Sequence, residues 1–311
     1  MNWPANGNEG RIACIGGAHL DRRGILRGPL VLGTSNPGDV QTDFGGVARN
    51  VAENLARLGA QVTLVSRVGN DAGGRQVRDH ATGLGIDTAL FTTSGAKPTA
   101  SYTAILEKSG ELVIGLADMD VYEEMTAELL TAYLGRLREQ PRWFVDANLP
   151  GATIDWLLDA GGEIPVAVDA ISVAKARRLA PLVPRISLLF ANLVQAAVIA
   201  GVPSFATAGE AARSLAELGA PAGVVTAGAS GIAVWSGSRV TGFRALPAQP
   251  RDVTGAGDAL VAGTLFGILC GDDLVEAARL GLAAAAITVE SPYAAAPELT
   301  PKMLKERYGG A

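Results

Sequence analysis

Asp252-Val-Thr-Gly-Ala-Gly-Asp258 is the stretch from which the rest of the chain can be placed. It follows Pro247 to Pro250, where two prolines in four residues exclude a helix. It runs directly into Ala259-Leu-Val-Ala-Gly-Thr-Leu-Phe-Gly-Ile-Leu269, apolar on nearly every face and therefore expected to be a buried helix. A glycine-rich turn thus feeds a helix N-terminus, where unpaired N–H groups and the helix dipole attract anions. Gly255 and Gly257 allow a ligand closer to the backbone than a side chain would. Asp258 does not belong there as an anion binder, because a carboxylate repels anions. It either caps the helix or serves as a base beside a phosphate cradle, taking the proton of a hydroxyl that attacks phosphorus.

The composition is that of an enzyme-sized α/β protein. With 311 residues, 48% of them hydrophobic and only 18% charged, the chain can bury a large core. A net charge of −5 without basic clusters argues against a nucleic-acid surface. The N-terminal ten residues have neither a basic region nor an apolar core, so no signal peptide is expected. The apolar stretches Ala259–Leu269 and Leu280–Val289 are too short to span a bilayer. Cys14 and Cys270 are far apart and are expected as small core residues, without a disulfide or metal. Together these features predict a cytoplasmic protein with no nucleic-acid or membrane partner.

Outward from the central stretch, strands alternate with helices. Ile12–Ile15 is a short buried strand ending in Gly16-Gly17, with Asp21 just beyond, where a turn or cap would also use an acid. Gly24 to Phe44 is expected as loop and lid, and Gly45-Gly46 then opens a helix whose apolar face is Val47, Val51, Leu55 and Leu58. Asn50 lies in its first turns and can face a ligand above the two glycines. Asp71 is accounted for as a loop residue before a polar helix. Ser101–Leu106 and Glu111–Ile114 flank a turn and predict a hairpin, which with extended pieces near Asp39–Phe44 forms a small separate sheet. Asp118 follows it and is placed to point beneath that lid.

From Thr126 onward the pattern repeats. Helix Thr126–Glu139 precedes strand Trp143–Val145, helix Ile154–Ala160 precedes Val166–Val168, and helix Val173–Leu179 precedes Leu188–Phe190. Helices Leu193–Ala200 and Ala206–Leu218 precede Gly223–Thr226. Such alternation predicts a mainly parallel sheet with helices on both faces, and ligands along its carboxyl edge. Asp146, Asn148, Asp169, Asn192, Thr226 and Gly228 are all expected at that edge.

Several chemistries are excluded or disfavoured. No Gly-x-x-x-x-Gly-Lys-[Ser/Thr] occurs, and the first βα turn lacks Gly-x-Gly-x-x-Gly. His19 and His80 are the only histidines, and neither has a partner at zinc spacing. What remains is an acid beyond the first strand, a glycine pair opening a helix, a lid, the turn Thr226 to Gly231, and Gly-Ala-Gly-Asp at a helix start. These elements suit phosphoryl transfer, which needs positioning, charge neutralisation and exclusion of water.

With these residues in view, the chain resembles the ribokinase-like, phosphofructokinase-B carbohydrate kinases from Gly16-Gly17 to Pro297. Asp252–Asp258 is similar to that family's C-terminal signature and Gly45-Gly-Val-Ala-Arg-Asn50 to its N-terminal one. Within the family the likeness is greatest to the pseudouridine kinases, on Asn36-Pro-Gly38, the run Gly45 to Gly59, Ala117-Asp-Met-Asp120 and Asp146-Ala-Asn148. The resemblance implies one ribokinase-like αβα domain over 1–311, with lid segments near 31–44 and 99–116. It implies ATP and Mg²⁺ as cofactors, a nucleoside or sugar as substrate, and admits a homodimer joined through the lid.

Carried over residue by residue, the resemblance makes Asp258 the catalytic base and Gly255, Ala256 and Gly257 the anion hole. Asp21, Gly45, Gly46, Asn50 and Asp118 fall to the substrate. Asn192, Thr226, Gly228 and Gly231 fall to the nucleotide. Asp252 and Thr254 match a site where relatives hold a monovalent cation such as K⁺. The family's Asn-x-x-Glu, which helps order Mg²⁺ through water, stands here as Asn192-Leu-Val-Gln195. An amide brings no negative charge to a metal, so weakened metal handling is expected. The implied reaction phosphorylates the 5′-hydroxyl of pseudouridine. Another kinase of this fold acting on ribose, uridine or adenosine stays open, as does a feebly active nucleoside-binding relative.

Overall fold

The computed structural model describes residues 10–309, so the N-terminal residues 1–9 of the signal-peptide expectation lie outside the described residues. The main sheet has eight strands. In chain order they are β1 (Arg11–Ile15), β4 (Gln61–Val65), β9 (Trp143–Asp146), β10 (Val166–Asp169), β11 (Leu188–Asn192), β12 (Ala222–Thr226), β13 (Ile232–Ser236) and β14 (Arg239–Phe243). They lie side by side as β14-β13-β12-β11-β10-β9-β1-β4. Neighbours from β4 across to β12 pair in parallel; β13 pairs antiparallel with both β12 and β14, so it alone runs against the rest.

Alternation along the strands divides the core. Ala13 and Ile15 on β1 and Trp143 and Val145 on β9 pack on one face, Ile12, Cys14 and Phe144 on the other. Helices cover both faces, which makes the αβα sandwich expected from the alternating pattern. The helix Ala256–Leu269 is buried at ten of its residues and packs against Leu274–Glu290. Gly263 and Gly267 sit where any Cβ would press on that neighbour, so their absence of side chains sets the close approach.

The second sheet is built of β2 (His19–Leu26), β3 (Gly38–Gly45), β7 (Ser101–Leu106) and β8 (Leu112–Asp118), ordered β3-β2-β7-β8. The expected hairpin is β7–β8, and it stands outside the main sheet. One strand differs from expectation: His19–Leu26, read from sequence as a turn and loop, is a central lid strand. It pairs antiparallel with β3 and parallel with β7, some 80 positions further along. Its charged Asp21, Arg22 and Arg23 hid it, and no local pattern reveals a partner so distant. The two short strands β5 (Arg67–Gly69) and β6 (Thr92–Ser94) pair in parallel as a separate small sheet.

Other boundaries moved for local reasons. The single helix expected over Thr126–Glu139 is two, Ala127–Thr131 and Leu134–Arg138, because Tyr133 N–H closes a tighter turn onto Leu130 O at 2.9 Å. The helix expected over Val173–Leu179 ends as α-helix at Ala176 and continues as 3₁₀ turns to Arg185, since Pro181 and Pro184 have no N–H to donate. Cys14 is buried as expected, whereas Cys270 is exposed just past its helix. Among the described residues, no helix is long and apolar enough to cross a membrane.

Candidate active site

β1 is the first strand, yet it lies between β4 and β9, so the chain departs from it to both sides. A sheet of this kind opens a crevice at the carboxyl ends of the strands where the order reverses. Gly16 and Gly17 end β1 there, and Asp146 ends β9. Fully buried Asp146 accepts from Gly17 N–H at 2.8 Å and from Ala48 N–H at 2.9 Å, and Asn148 N–H closes onto it at 2.9 Å. It therefore ties the first turn to the start of helix Val47–Arg57. A side chain at Gly16 would overlap this carboxylate, and one at Gly46 (φ 100°) would overlap Gly17 O.

That helix delivers Asn50 to the crevice. Arg49 Nη1 donates to Asn50 Oδ1 at 2.6 Å, which leaves the amide nitrogen as the only end free to face the site. Asn50 Nδ2 duly donates to Asp258 Oδ2 at 2.7 Å. Arg49 is itself buried, bonded to Phe44 O at 2.7 Å and paired with Glu53, which also holds Arg57. Burial pulls its guanidinium down to about 10, still charged at neutral pH.

Asp258 is not a helix cap. The cap position is Gly255 in the left-handed region (φ 77°), and no side chain bonds the first turn. The Asp258 carboxylate keeps some surface in the crevice while protein surrounds the rest of it. That burial raises its pKa from the ordinary 3.8 to about 7, and nearby Asp146 and Asp21 push the same way, while Asn50 and Arg49 oppose them. Asp169, at the end of β10, is also raised to about 7, first by burial and then by Asp258.

Asp21 lies in β2 rather than at a turn, against Gly45, where any side chain would collide with its carboxylate. His19 Nε2 is 3.3 Å from Asp21 Oδ1, and His19 Nδ1 is 3.2 Å from the Tyr122 hydroxyl. Asp21, Gly45, Gly46, Asn50 and Asp258 thus converge at one place. Asp118 does not join them. It is exposed at the end of β8 and registers with Ser101 and Leu20, the face of the lid opposite Asp21.

Two cavities adjoin the start of helix Ala256–Leu269, and the smaller reaches Asp258. One of about 170 Å³ is lined by Asp169, Asn192, Gln195, Thr226, Gly257 and Asp258. The other, about 560 Å³, is lined by Thr226, Gly228, Gly231 and Ala256 with apolar Leu246, Leu282 and Val289. Thr226 and Gly257 border both, so the expected nucleotide residues adjoin the helix start. Gln195 is buried in a mutual cap: its Oε1 accepts Asn192 N–H at 2.8 Å and Asn192 Oδ1 accepts Gln195 N–H at 2.9 Å. Its oxygen is thereby spent on the backbone. Asp252 and Thr254 are not an open cation cradle. Asp252 Oδ1 accepts Thr254 N–H at 2.8 Å, and Oδ2 accepts from Arg23 at 2.8 Å.

The family model for pfkB carbohydrate kinases matches residues 10–301, nearly the whole chain. The chain belongs to the pfkB family of carbohydrate kinases. A carbohydrate kinase structure from Agrobacterium tumefaciens is 37% identical, with a TM-score of 0.86 over 96% of this chain and 97% of that one. Pseudouridine kinase of Escherichia coli (strain K12) is 28% identical over 93% of each chain. Arabidopsis thaliana ribokinase complexed with ribose and ATP has a TM-score of 0.84 over 96% of this chain and 98% of its own, at 22% identity, a likeness of fold.

Against this family background, sequence reasoning left Arg23, Arg49 and the tie made by Asp146 out of the site. Arg49 had a legible signal: Arg49, Glu53 and Arg57 are spaced four apart on a helix that must be buried beside its glycines. Arg23 had none, because its partner is 229 residues away.

Proposed function

We propose that the protein is an ATP-dependent kinase that phosphorylates the 5′-hydroxyl of pseudouridine. The observation that carries this reading is Asp258: a carboxylate at a helix start, free of capping, held by Asn50, with a pKa of about 7. A base poised near the working pH can take a hydroxyl proton and later release it. As the 5′-oxygen forms its bond to the γ-phosphorus, its proton passes to Asp258 and the bond to the β-phosphate oxygen breaks, leaving ADP. N–H groups of Gly255 and Gly257 face the oxygens of the transferring group, whereas the expected third donor, Ala256 N–H, closes the turn onto Val253 O at 3.3 Å. Asp21 and Asn50 bind the ribose hydroxyls, and the apolar 560 Å³ cavity takes the adenine. The lid, which supplies Asp21, excludes water. The pseudouridine assignment rests on the likeness to the Escherichia coli enzyme and on the motifs it shares. Two unbridged cysteines suit a reducing cytoplasm.

Among the described residues no group of three or more His, Cys, Asp or Glu could hold a metal alone. The site nonetheless fits Mg²⁺ that arrives with ATP, since this ion keeps waters and phosphate ligands and needs one or two carboxylates. Asp169 would meet it, with Asn192 nearby, while the Gln195 oxygen stays on the Asn192 N–H. When bound, the ion supplies charge neutralisation on the phosphates. Gln195→Glu adds a charge at the same spot, and the Mg²⁺ concentration for half-maximal rate at fixed ATP should fall. An unchanged titration would mean that the second oxygen of a carboxylate at position 195 does not reach the metal's water shell.

Coupled ADP release with pseudouridine, uridine, adenosine, inosine and ribose tests the substrate. Pseudouridine should give the highest kcat/KM, and any other of these outcompeting it would remove the assignment. In the same assay Asp21→Ala and Asn50→Ala should each weaken substrate binding by about 1–3 kcal/mol, the cost of an unpaired buried hydroxyl. Unaltered KM in both variants would place the sugar elsewhere.

A further inference from the structure

The family likeness puts a monovalent cation at Asp252 and Thr254, and the residues here do not fit one. Such an ion needs several oxygen lone pairs directed at a common point. Both oxygens of Asp252 are already engaged, Oδ1 by Thr254 N–H and Oδ2 by Arg23 Nη1, each at 2.8 Å. The arginine is well placed to stay: Arg23 and Asp252 are 30% and 22% exposed, so water screens the pair only in part. Its strand also fixes its direction. Arg23 lies two residues after Asp21 on β2, and therefore projects to the same, crevice-facing side of the lid.

We propose that Arg23 is this enzyme's resident cation. Its guanidinium stands in for the monovalent ion, neutralising Asp252 three residues before Gly255 and holding the loop that shapes the helix start. Because the charge comes from the lid, the same pair latches the lid to that loop. A guanidinium is part of the chain and cannot be washed out. The kinase should therefore run without K⁺, and removing Arg23 should create a K⁺ requirement.

The test compares the unmodified protein, Arg23→Met and Arg23→Lys, freed of K⁺, Na⁺ and NH₄⁺, with tetramethylammonium chloride holding ionic strength. The unmodified protein and Arg23→Lys should each turn over as fast in tetramethylammonium chloride as in KCl, at about 100 mM of either, a salt level that screens both alike. Arg23→Met should lose roughly tenfold in turnover without KCl, the scale of one partly buried charge pair, and recover most of it with KCl. Melting temperature gives a second readout that needs no substrate and stays valid if the pseudouridine assignment fails. KCl should raise the Tm of Arg23→Met by about 2 °C over tetramethylammonium and leave the unmodified protein unmoved. Activation of the unmodified protein by K⁺, or an Arg23→Met variant that K⁺ neither restores nor stabilises, would overturn the inference.

Discussion

Asp258→Asn should fold and bind nucleoside, yet turn over roughly 10²–10⁴-fold more slowly, the usual worth of a general base. The substitution keeps the shape and takes away the proton acceptor. Since Gly255, and not Asp258, occupies the cap position, the helix loses no capping bond. A pH signature accompanies it. With a pKa of about 7, Asp258 becomes the unprotonated base only as pH passes neutrality, so kcat/KM of the unmodified protein should climb through that range. Stability should move the opposite way. Folding raises this pKa from 3.8, so it favours the protonated acid. That contribution is complete below about 4 and is lost as pH rises through about 7. Asp258→Asn carries no such loss, and its Tm at pH 8 should equal or exceed that of the unmodified protein. Full activity in the variant would remove the mechanism, and a collapsed Tm would show that the carboxylate was structural.

Gly255→Ala should be nearly as damaging to turnover, by roughly 10²–10³-fold, the cost of losing an anion-hole donor. Gly255 sits at φ 77°, and a Cβ there would overlap the carbonyl of Ala294, which is backbone and has no rotamer to escape into. Either the 252–256 loop or the Ala294 segment must shift, and the N–H groups shift with it. Strain at a left-handed position adds about 1–3 kcal/mol of destabilisation. Gly257→Ala separates the two effects, because no atom lies within 4 Å of a Cβ built at Gly257. It should keep its Tm and lose turnover by filling the space that both cavities border. A fully active Gly257→Ala would show that the phosphoryl group does not pass over this turn.

Much of the site was legible because its elements are local. Glycine pairs before apolar helices mark turns that open onto a sheet edge, and this is where Gly45-Gly46 and Gly255 to Gly257 are found. Asp258 could be located from the chain, but not interpreted: a cap and a base occupy the same sequence position. Only the packing of helix Val47–Arg57 beside helix Ala256–Leu269 brings Asn50 onto Asp258 and surrounds the carboxylate enough to raise its pKa. Asp118 shows the converse limit. Its motif suggested a place under the lid, and one register step in β8 sets it on the other face.

The sequence by itself determined the αβα alternation, the family and the two glycine turns, since periodicity and turn chemistry act over a few residues. Tertiary structure alone decided that His19–Leu26 is a lid strand, that Gln195 spends its oxygen on Asn192, and that Arg23 reaches Asp252. In the strand and the ion pair, the partner lies tens to hundreds of residues away and meets its mate only when the sheets assemble. For Gln195 the partner is near, but whether its amide turns to the backbone or the cavity depends on how tightly the surrounding core closes over it.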